Sequence, residues 1–204
     1  GGTTAYSSST VTLSNTVNAV NDAPVASGSA TLTAIDEDTA NPSGATVSSL
    51  FSSNFSDSTD TVSGGSSANT LAGIAITSYT RDATKGEWQY STNGSSWTTI
   101  GSSISAASSS LTFKSTDYLR FLPAANWNGS APTLTVALID SSTTVSTNAT
   151  VDVSTRGGTT AYSSSTVTLS NTVTAVNDAP VASGSATLSA VNEDSTPSGA
   201  TVSS

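Results

Sequence analysis

Carboxylates are the side chains in this sequence with the most potential for chemistry. The chain has 14 Asp and Glu residues but no His and no Cys, so the commonest bases, thiol nucleophiles and transition-metal ligands are absent. Hard oxygen ligands remain, and calcium prefers these. Asp57 with Asp60, or Asp82 with Glu87, has the residue types for glycoside hydrolysis. Since nothing else supplies substrate clamps, we predict that the protein is not an enzyme.

Tryptophans are the second group of candidate functional residues. Trp88, Trp97 and Trp127 would offer stacking platforms for sugars if their rings were exposed. Their positions on alternating residues of predicted strands are more typical of core and hairpin-anchor aromatics. A glycan-binding or surface-binding module that uses exposed tryptophans is therefore the less favoured alternative function.

The charge balance excludes several classes of partner. Five Lys and Arg residues give a formal net charge of -9, which leaves no basic surface for nucleic acid and disfavours anionic membranes. No apolar run approaches the roughly 18 residues of a membrane span, so we predict no membrane insertion. Without disulfides, stability must come from burial, strand pairing or metal ions.

The sequence is internally duplicated. Residues 1–38 recur at 157–194, an offset of 156 residues (157 − 1), and 42–49 recur at 197–204. The two 38-residue copies differ at four positions, Asn18/Thr174, Thr33/Ser189, Ile35/Val191 and Asp36/Asn192. Such identity favours duplication of a whole unit over two separate domains with similar ends. We therefore interpret the chain as one full repeat and parts of its neighbours.

Strand patterns fill the repeat. Residues 10–13 and 29–35 alternate polar and apolar, whereas 71–79 is more continuously apolar and so predicts a central strand. Asn93-Gly94 predicts a hairpin turn because both residues tolerate positive φ. Further strands are predicted at 16–17, 87–90, 96–100, 111–113, 118–121, 134–139 and 143–153. With no segment of helical period, the sequence predicts an all-β, antiparallel β-sandwich.

Two copies of one Asn-Asp-Ala-Pro segment, beginning at Asn21 and Asn177, predict the domain boundaries. Asn-Asp favours a turn, and Pro ends strand pairing because it lacks an amide donor. On this frame residues 22–176 form a complete repeat, 1–21 the last strands of the preceding repeat, and 177–204 a linker with the first strands of the next. The partial repeats either extend the central sheets or complement one another between molecules by strand addition.

The linker motif Val-Asn-Asp-Ala-Pro-Val, followed by Asp36 to Thr39, resembles the cadherin-like tandem repeats of giant bacterial surface proteins, including the extender regions of RTX-type biofilm adhesins. Segments 51–57, 86–97, 119–129 and 136–142 extend the resemblance over the whole unit. It implies a cadherin/Ig-like sandwich that acts as a structural extender of a secreted adhesin at the bacterial cell surface. It also implies neighbouring identical repeats as partners and Ca²⁺ near their junctions. The chain lacks the glycine-rich nonapeptide repeats that end such proteins, so the resemblance is to the extender portion.

The resemblance also implies a set of calcium ligands that converge at one end of a domain. They are Glu37, Asp38, Asp57, Asp60, Asp140, Asn177 and Asp178, with Asn21, Asp22, Glu193 and Asp194 as equivalents in neighbouring repeats. Clustered carboxylates repel one another unless a hard cation neutralises them, and calcium accepts six to eight oxygens. The fuller cadherin linker, Asp-x-Asn-Asp-Asn, is absent, and Asp36 becomes Asn192, so the number of ions stays open. The alternative is that these residues are solvated turn formers.

Overall fold

The computed structural model describes residues 2–63 and 65–202. Within these residues the chain is mostly β-strand, in a six-stranded, a four-stranded, a three-stranded and a two-stranded sheet. Helix is limited there to α1 (Val47–Phe51) and the 3₁₀ turns Ser52–Asn54, Ser58–Asp60 and Ala107–Ser109. The predicted all-β class is confirmed.

The strands follow one another along the central part of the chain. In chain order they are β1 (Val25–Ala26), β2 (Ser29–Thr31), β3 (Ile35–Asp36), β4 (Ala45–Thr46), β5 (Phe55–Ser56), β6 (Leu71–Tyr79), β7 (Gly86–Ser91), β8 (Thr98–Thr99), β9 (Ser110–Lys114), β10 (Tyr118–Pro123), β11 (Gly129–Ser130), β12 (Leu134–Asp140), β13 (Ala149–Val151), β14 (Val167–Ser170) and β15 (Thr172–Thr174). The predicted strand over 143–153 is therefore reduced to β13. No helix among the described residues is both long and apolar enough to cross a membrane.

The sheet order explains which strands are buried. The six-stranded sheet has the order β13-β9-β6-β12-β14-β2, and the four-stranded sheet has the order β4-β10-β7-β8. The continuously apolar β6 lies between β9 and β12, as its sequence predicts. β7 and β8 pair antiparallel, with Tyr90 opposite Thr98, so the loop between them is longer than a two-residue Asn-Gly turn. Within it Gly94 has a φ of 73°, whereas Asn93 has no positive φ.

Two ladders join the beginning of the repeat to its end. β14 pairs in parallel with β2, where Thr168 lies opposite Ser29, and β15 pairs in parallel with β3, where Val173 lies opposite Ile35. The expectation of purely antiparallel pairing is wrong at these two places. The first and last segments of the repeat run in the same direction, so strands from the two ends can only meet in parallel.

The main core takes side chains from both larger sheets. Ile76 of β6 and Leu134 of β12 pack in one cluster with Trp88 of β7 and Phe121 of β10, and all four are fully buried. The rings of Trp88 and Phe121 meet edge to face, with centroids 5.6 Å apart. A second, smaller cluster holds Ala75, Ile139, Val145, Val153 and Ala161. Because β6 contributes to both clusters, both of its faces are buried.

The flanking segments differ from this centre. In the described parts of 2–20 and 177–202 the chain forms no strand, although 10–13 and 16–17 carry strand patterns. These residues are exposed to solvent. The regular structure spans Val25 to Thr174, which lies inside the predicted repeat of residues 22–176.

Candidate functional site

Three buried carboxylates lie where the chain enters the repeat. Asp57 precedes the 3₁₀ turn that ends in Asp60, and Asp140 is the last residue of β12. They are 4%, 6% and 0% exposed, respectively. With Asn21 of the incoming linker and Asn69, just before β6, they form what we call the proximal cluster.

Hydrogen bonds of two asparagines connect the proximal cluster. The Asn69 backbone N–H donates to Asp57 Oδ2 at 2.6 Å, and Asn69 Nδ2 donates to Asp60 Oδ2 at 3.0 Å and to Asn21 Oδ1 at 2.8 Å. Asn21 Nδ2 in turn donates to Asp140 Oδ2 at 3.3 Å. The Asp22 backbone N–H donates to Asp60 Oδ1 at 2.7 Å. Both linker residues are therefore tied to carboxylates of the repeat body.

Asp57 has one carboxylate oxygen in this cluster without a hydrogen-bond partner. Its Oδ1 is buried and has no hydrogen-bond partner. Burial raises the pKa of Asp57, and the nearby charges of Asp60 and Asp140 raise it further, against the opposing effect of the hydrogen bond from the Asn69 amide. A buried acceptor without a partner is costly, and more so when it is charged.

No Lys or Arg of the described chain forms a salt bridge with a carboxylate of the proximal cluster. Among residues 2–63 and 65–202 the salt bridges join Arg81 to Glu87 and Lys85 to Asp82. The proximal cluster therefore contains no ion pair within the described chain. Asp82 and Glu87, the second carboxylate pair considered for hydrolysis, are each paired with a cation.

The donor types of the proximal cluster suit a hard cation, although they are not gathered into a compact set. No group of three or more Asp, Glu, His or Cys side chains in the described residues has the arrangement of a ready metal site. The amide N–H groups of Asn21 and Asn69 lie between the carboxylates. Rotating either amide by half a turn would exchange its nitrogen for its oxygen. Carboxylate and amide oxygens are calcium ligands, so the residues fit the ion after such a rotation.

A second polar group lies where the chain leaves the repeat, and we call it the distal cluster. Glu37 is 6% exposed; its Oε1 accepts the Val176 backbone N–H at 2.7 Å and its Oε2 accepts Asn128 Nδ2 at 3.2 Å. Asp38 has a φ of 63°, and its Oδ1 accepts the Asn126 backbone N–H at 2.9 Å. Glu37 thus holds the residue that precedes the outgoing linker.

The two clusters lie at opposite ends of the sheet. Leu134 of β12 lies opposite Leu169 of β14 in an antiparallel ladder. From that pair, β12 runs on to Asp140, whereas β14 and β15 run the other way to Thr174, whose C=O accepts the Glu37 N–H at 2.9 Å. At about 3.3 Å per residue the ends are on the order of 30 Å apart.

This separation divides the sequence-predicted ligands. Asn21, Asp22, Asp57, Asp60 and Asp140 come together at the proximal end, while Glu37 and Asp38 lie at the distal end. The parallel pairing of β3 with β15 places Glu37 and Asp38 there.

The predicted ligands in the C-terminal part of the chain belong to neither cluster. Asn177 and Asp178 follow the distal cluster directly, and Glu193 and Asp194 lie further along the exposed segment. All four side chains are exposed.

Sequence reasoning missed Asn69 and Asn128. Asn69 lies two residues before Leu71, the partner of Asp140 across the β6–β12 ladder. The sequence places Asn69 just before the apolar strand β6 and Asp140 at the end of the apolar strand β12. If these two strands were predicted to pair antiparallel, the two polar residues would be expected to lie close together.

The tryptophans are mostly engaged with the protein itself. Trp88 is fully buried, so it presents no ring to a sugar. Trp127 packs edge to face on Phe121 at 6.2 Å between centroids. The partly exposed Trp97 covers the buried Arg120 guanidinium, which lies 4.2 Å from its ring centroid.

Comparison of the chain with family models, curated proteins and solved structures gives no match.

Proposed function

We propose that this chain is a structural spacer repeat of a secreted bacterial surface adhesin, stacked in tandem and stiffened by Ca²⁺ near the inter-repeat junctions. The proximal cluster carries the proposal. Three buried carboxylates, one with an unpartnered oxygen, meet the residues of the incoming linker. An ion bound there would fasten the linker to the repeat.

The layered architecture supports a stackable module. The six-stranded and four-stranded sheets contribute to one core, as the two layers of a β-sandwich do. The chain enters near Asp140 and leaves near Glu37, at opposite ends of β12 and β14. Repeats built in this way join end to end into a rod.

Electrostatics supports a divalent cation. Asp57, Asp60 and Asp140 repel one another in a buried setting, and no Lys or Arg forms an ion pair with them in the described chain. A calcium ion would supply the missing positive charge and accept the free Asp57 oxygen. Binding would thus remove an energetic cost that the repeat bears on its own.

The duplicated linker supports a junction role. Asn177 and Asp178 repeat Asn21 and Asp22, and they come directly after Val176, which Glu37 holds. In a tandem array the linker would therefore pass directly from the distal cluster of one repeat to the proximal cluster of the next. An ion in the proximal cluster would fix the angle between the two.

Calcium should stabilise the protein against heat. Binding to the folded state alone adds about 2.7 kcal/mol at a free calcium concentration of 100 Kd, and about 2–4 °C in Tm per kcal/mol is expected for 150–250 residues. We expect the Tm, followed by circular dichroism, to rise by several degrees in millimolar calcium and to return with chelator. A Tm unmoved by either addition would refute the calcium part of the proposal.

A further inference from the structure

Residues 1–20 are a second copy of the segment that closes the repeat. They match 157–176 at every position but one, where Asn18 stands for Thr174. The closing segment contains β14 and β15. The chain therefore carries two nearly identical candidates for the same place in the sheet.

Each strand of the closing segment pairs with a neighbour on both sides. β14 lies between β12 and β2, and β15 lies between β11 and β3. Between these strands Asn171 is 1% exposed, and its Nδ2 donates to Leu32 O and Thr33 O at 3.2 and 2.8 Å. Removing this segment would take Val167, Leu169 and Val173 out of the main core.

The same side chains lie exposed in the N-terminal copy. Val167, Leu169 and Val173 are 0%, 0% and 2% exposed in the closing segment. Their counterparts Val11, Leu13 and Val17 are 96%, 98% and 90% exposed. An alternating apolar stripe without a sheet to cover it favours association with an open strand position.

The N-terminal copy cannot fill the place in its own repeat. There, Val20 would take the position of Val176 beside Glu37 at the distal end. Asn21, the next residue, contacts Asp140 at the proximal end, about 30 Å away at the strand rise. Consecutive Cα atoms are only about 3.8 Å apart, so residues 1–20 cannot close the repeat that follows them in the same chain.

We propose that the repeat exchanges its closing segment with a second copy of this chain: residues 7–20 of one molecule enter the sheet of another in place of residues 163–176. The donor leaves the acceptor beside the acceptor's Glu37 and continues into its own Asn21, Asp22 and proximal cluster. Exchange thus reproduces, without a covalent bond, the end-to-end order of the tandem repeats. It uses the core of the repeat and is independent of calcium.

Competition with the molecule's own segment sets the extent of exchange. The two donors bury the same side chains, so their intrinsic affinities are nearly equal. The internal donor has an effective concentration on the order of 1 mM because it is tethered. At about 0.1 mM chain we expect about one acceptor in ten to hold the segment of a neighbour, and at about 0.01 mM about one in a hundred.

Disulfide trapping tests the register directly. Thr168 lies opposite Ser29, so Thr12, the counterpart of Thr168, would lie opposite Ser29 of another chain. The sequence has no Cys, and neighbouring strands about 4.8 Å apart allow a disulfide. The T12C/S29C variant is unfolded in urea, refolded at about 0.1 mM in chelator and then oxidised. Each occupied acceptor takes up one donor chain, so about a fifth of the chains should run as disulfide-linked dimers on a non-reducing gel.

Two matched pairs control this measurement. T168C/S29C should close a disulfide within one chain and stay monomeric, whereas T12C/S102C joins the donor to an exposed loop position and reports random collision. A dimer fraction for T12C/S29C no greater than for T12C/S102C would overturn the proposal. A fraction that falls tenfold on tenfold dilution before refolding supports it.

A second set of variants biases the competition. L169D places a carboxylate at a fully buried position of the internal donor and leaves the N-terminal donor intact, so T12C/S29C/L169D should form several-fold more dimers than T12C/S29C. Adding L13D disables the remaining donor and should return the dimers to the collision level. Equal dimer fractions with and without L13D would contradict strand exchange.

Discussion

Asp57 is a buried carboxylate with an unfavourable environment. Its buried Oδ1 has no partner, and burial raises its pKa, with Asp60 and Asp140 adding to the effect. The folded state therefore holds the Asp57 proton more tightly than the unfolded chain does. Between the ordinary Asp pKa and the raised value, this group lowers stability as the pH rises and restores it as the pH falls.

The D57N variant should separate folding from ion binding. An amide keeps an acceptor for the Asn69 N–H and removes the buried charge, so without calcium at pH 7 we expect the free energy of unfolding to rise by about 1 kcal/mol. The gain should shrink on acidification toward the ordinary Asp pKa, as urea unfolding at several pH values would show. In calcium, D57N should lose most of the thermal shift of the wild type.

Asp152 supplies a matched control for this variant. Its pKa is lowered by hydrogen bonds from the side chain and the backbone N–H of Ser154, and it is exposed. D152N should therefore lack the stabilisation at neutral pH and keep the full calcium response. If D57N and D152N behaved alike, the special role given to Asp57 would be wrong.

At the scale of elements, the duplication places one local sequence in two environments, buried in β14 and exposed in the N-terminal segment. L169A empties a fully buried position of β14, and we expect it to lower the free energy of unfolding by about 3 kcal/mol. L13A changes the same residue in the same local sequence, but Leu13 is 98% exposed, so its effect should stay within about 0.5 kcal/mol. Urea unfolding below 0.01 mM chain, where exchange is small, measures both. Similar losses would show that Leu13 is also packed.

The same comparison shows which elements a sequence can predict. The turn after Asp36 recurs after Asn192: Thr39 Oγ1 donates to Asp36 O at 2.7 Å and Ser195 Oγ donates to Asn192 O at 2.6 Å, and Asp38 and Asp194 share a φ of 63°. Local hydrogen bonds suffice for such a turn, so it forms in both copies. β2 and β3 have no strand counterparts in 177–202, because a strand exists only with its partner.

The candidate site likewise has a part that the sequence could predict and a part that depends on long-range strand pairing. The family resemblance implied Asp57, Asp60, Asp140 and the linker as ligands, and the structure brings these residues together. The separation of Glu37 from these residues depends on the parallel pairing of β3 with β15. That contact spans 138 residues of sequence (173 − 35) and leaves no mark in local periodicity.

For the whole molecule, the direction in which the chain leaves the repeat depends on one buried carboxylate. Glu37 Oε1 accepts the Val176 N–H at 2.7 Å, and Glu37 N–H bonds to Thr174 O at 2.9 Å. These two bonds hold the last residues before Asn177. In the proposed spacer this point has to be stiff, because bending at each junction adds up along an array.

The E37A variant should free the backbone at Val176 from Glu37 while the core stays folded. Without the acceptor, the Val176 amide loses its partner, and we expect its hydrogen exchange to quicken at least about tenfold, as the loss of about 1.4 kcal/mol of protection implies. E37Q keeps an acceptor oxygen and should retain most of the protection. Amides of β6 and β12, at the centre of the sheet, should exchange only with global unfolding in both variants. Val176 exchange that is equally fast in the wild type and in E37A would show that Glu37 does not hold the linker.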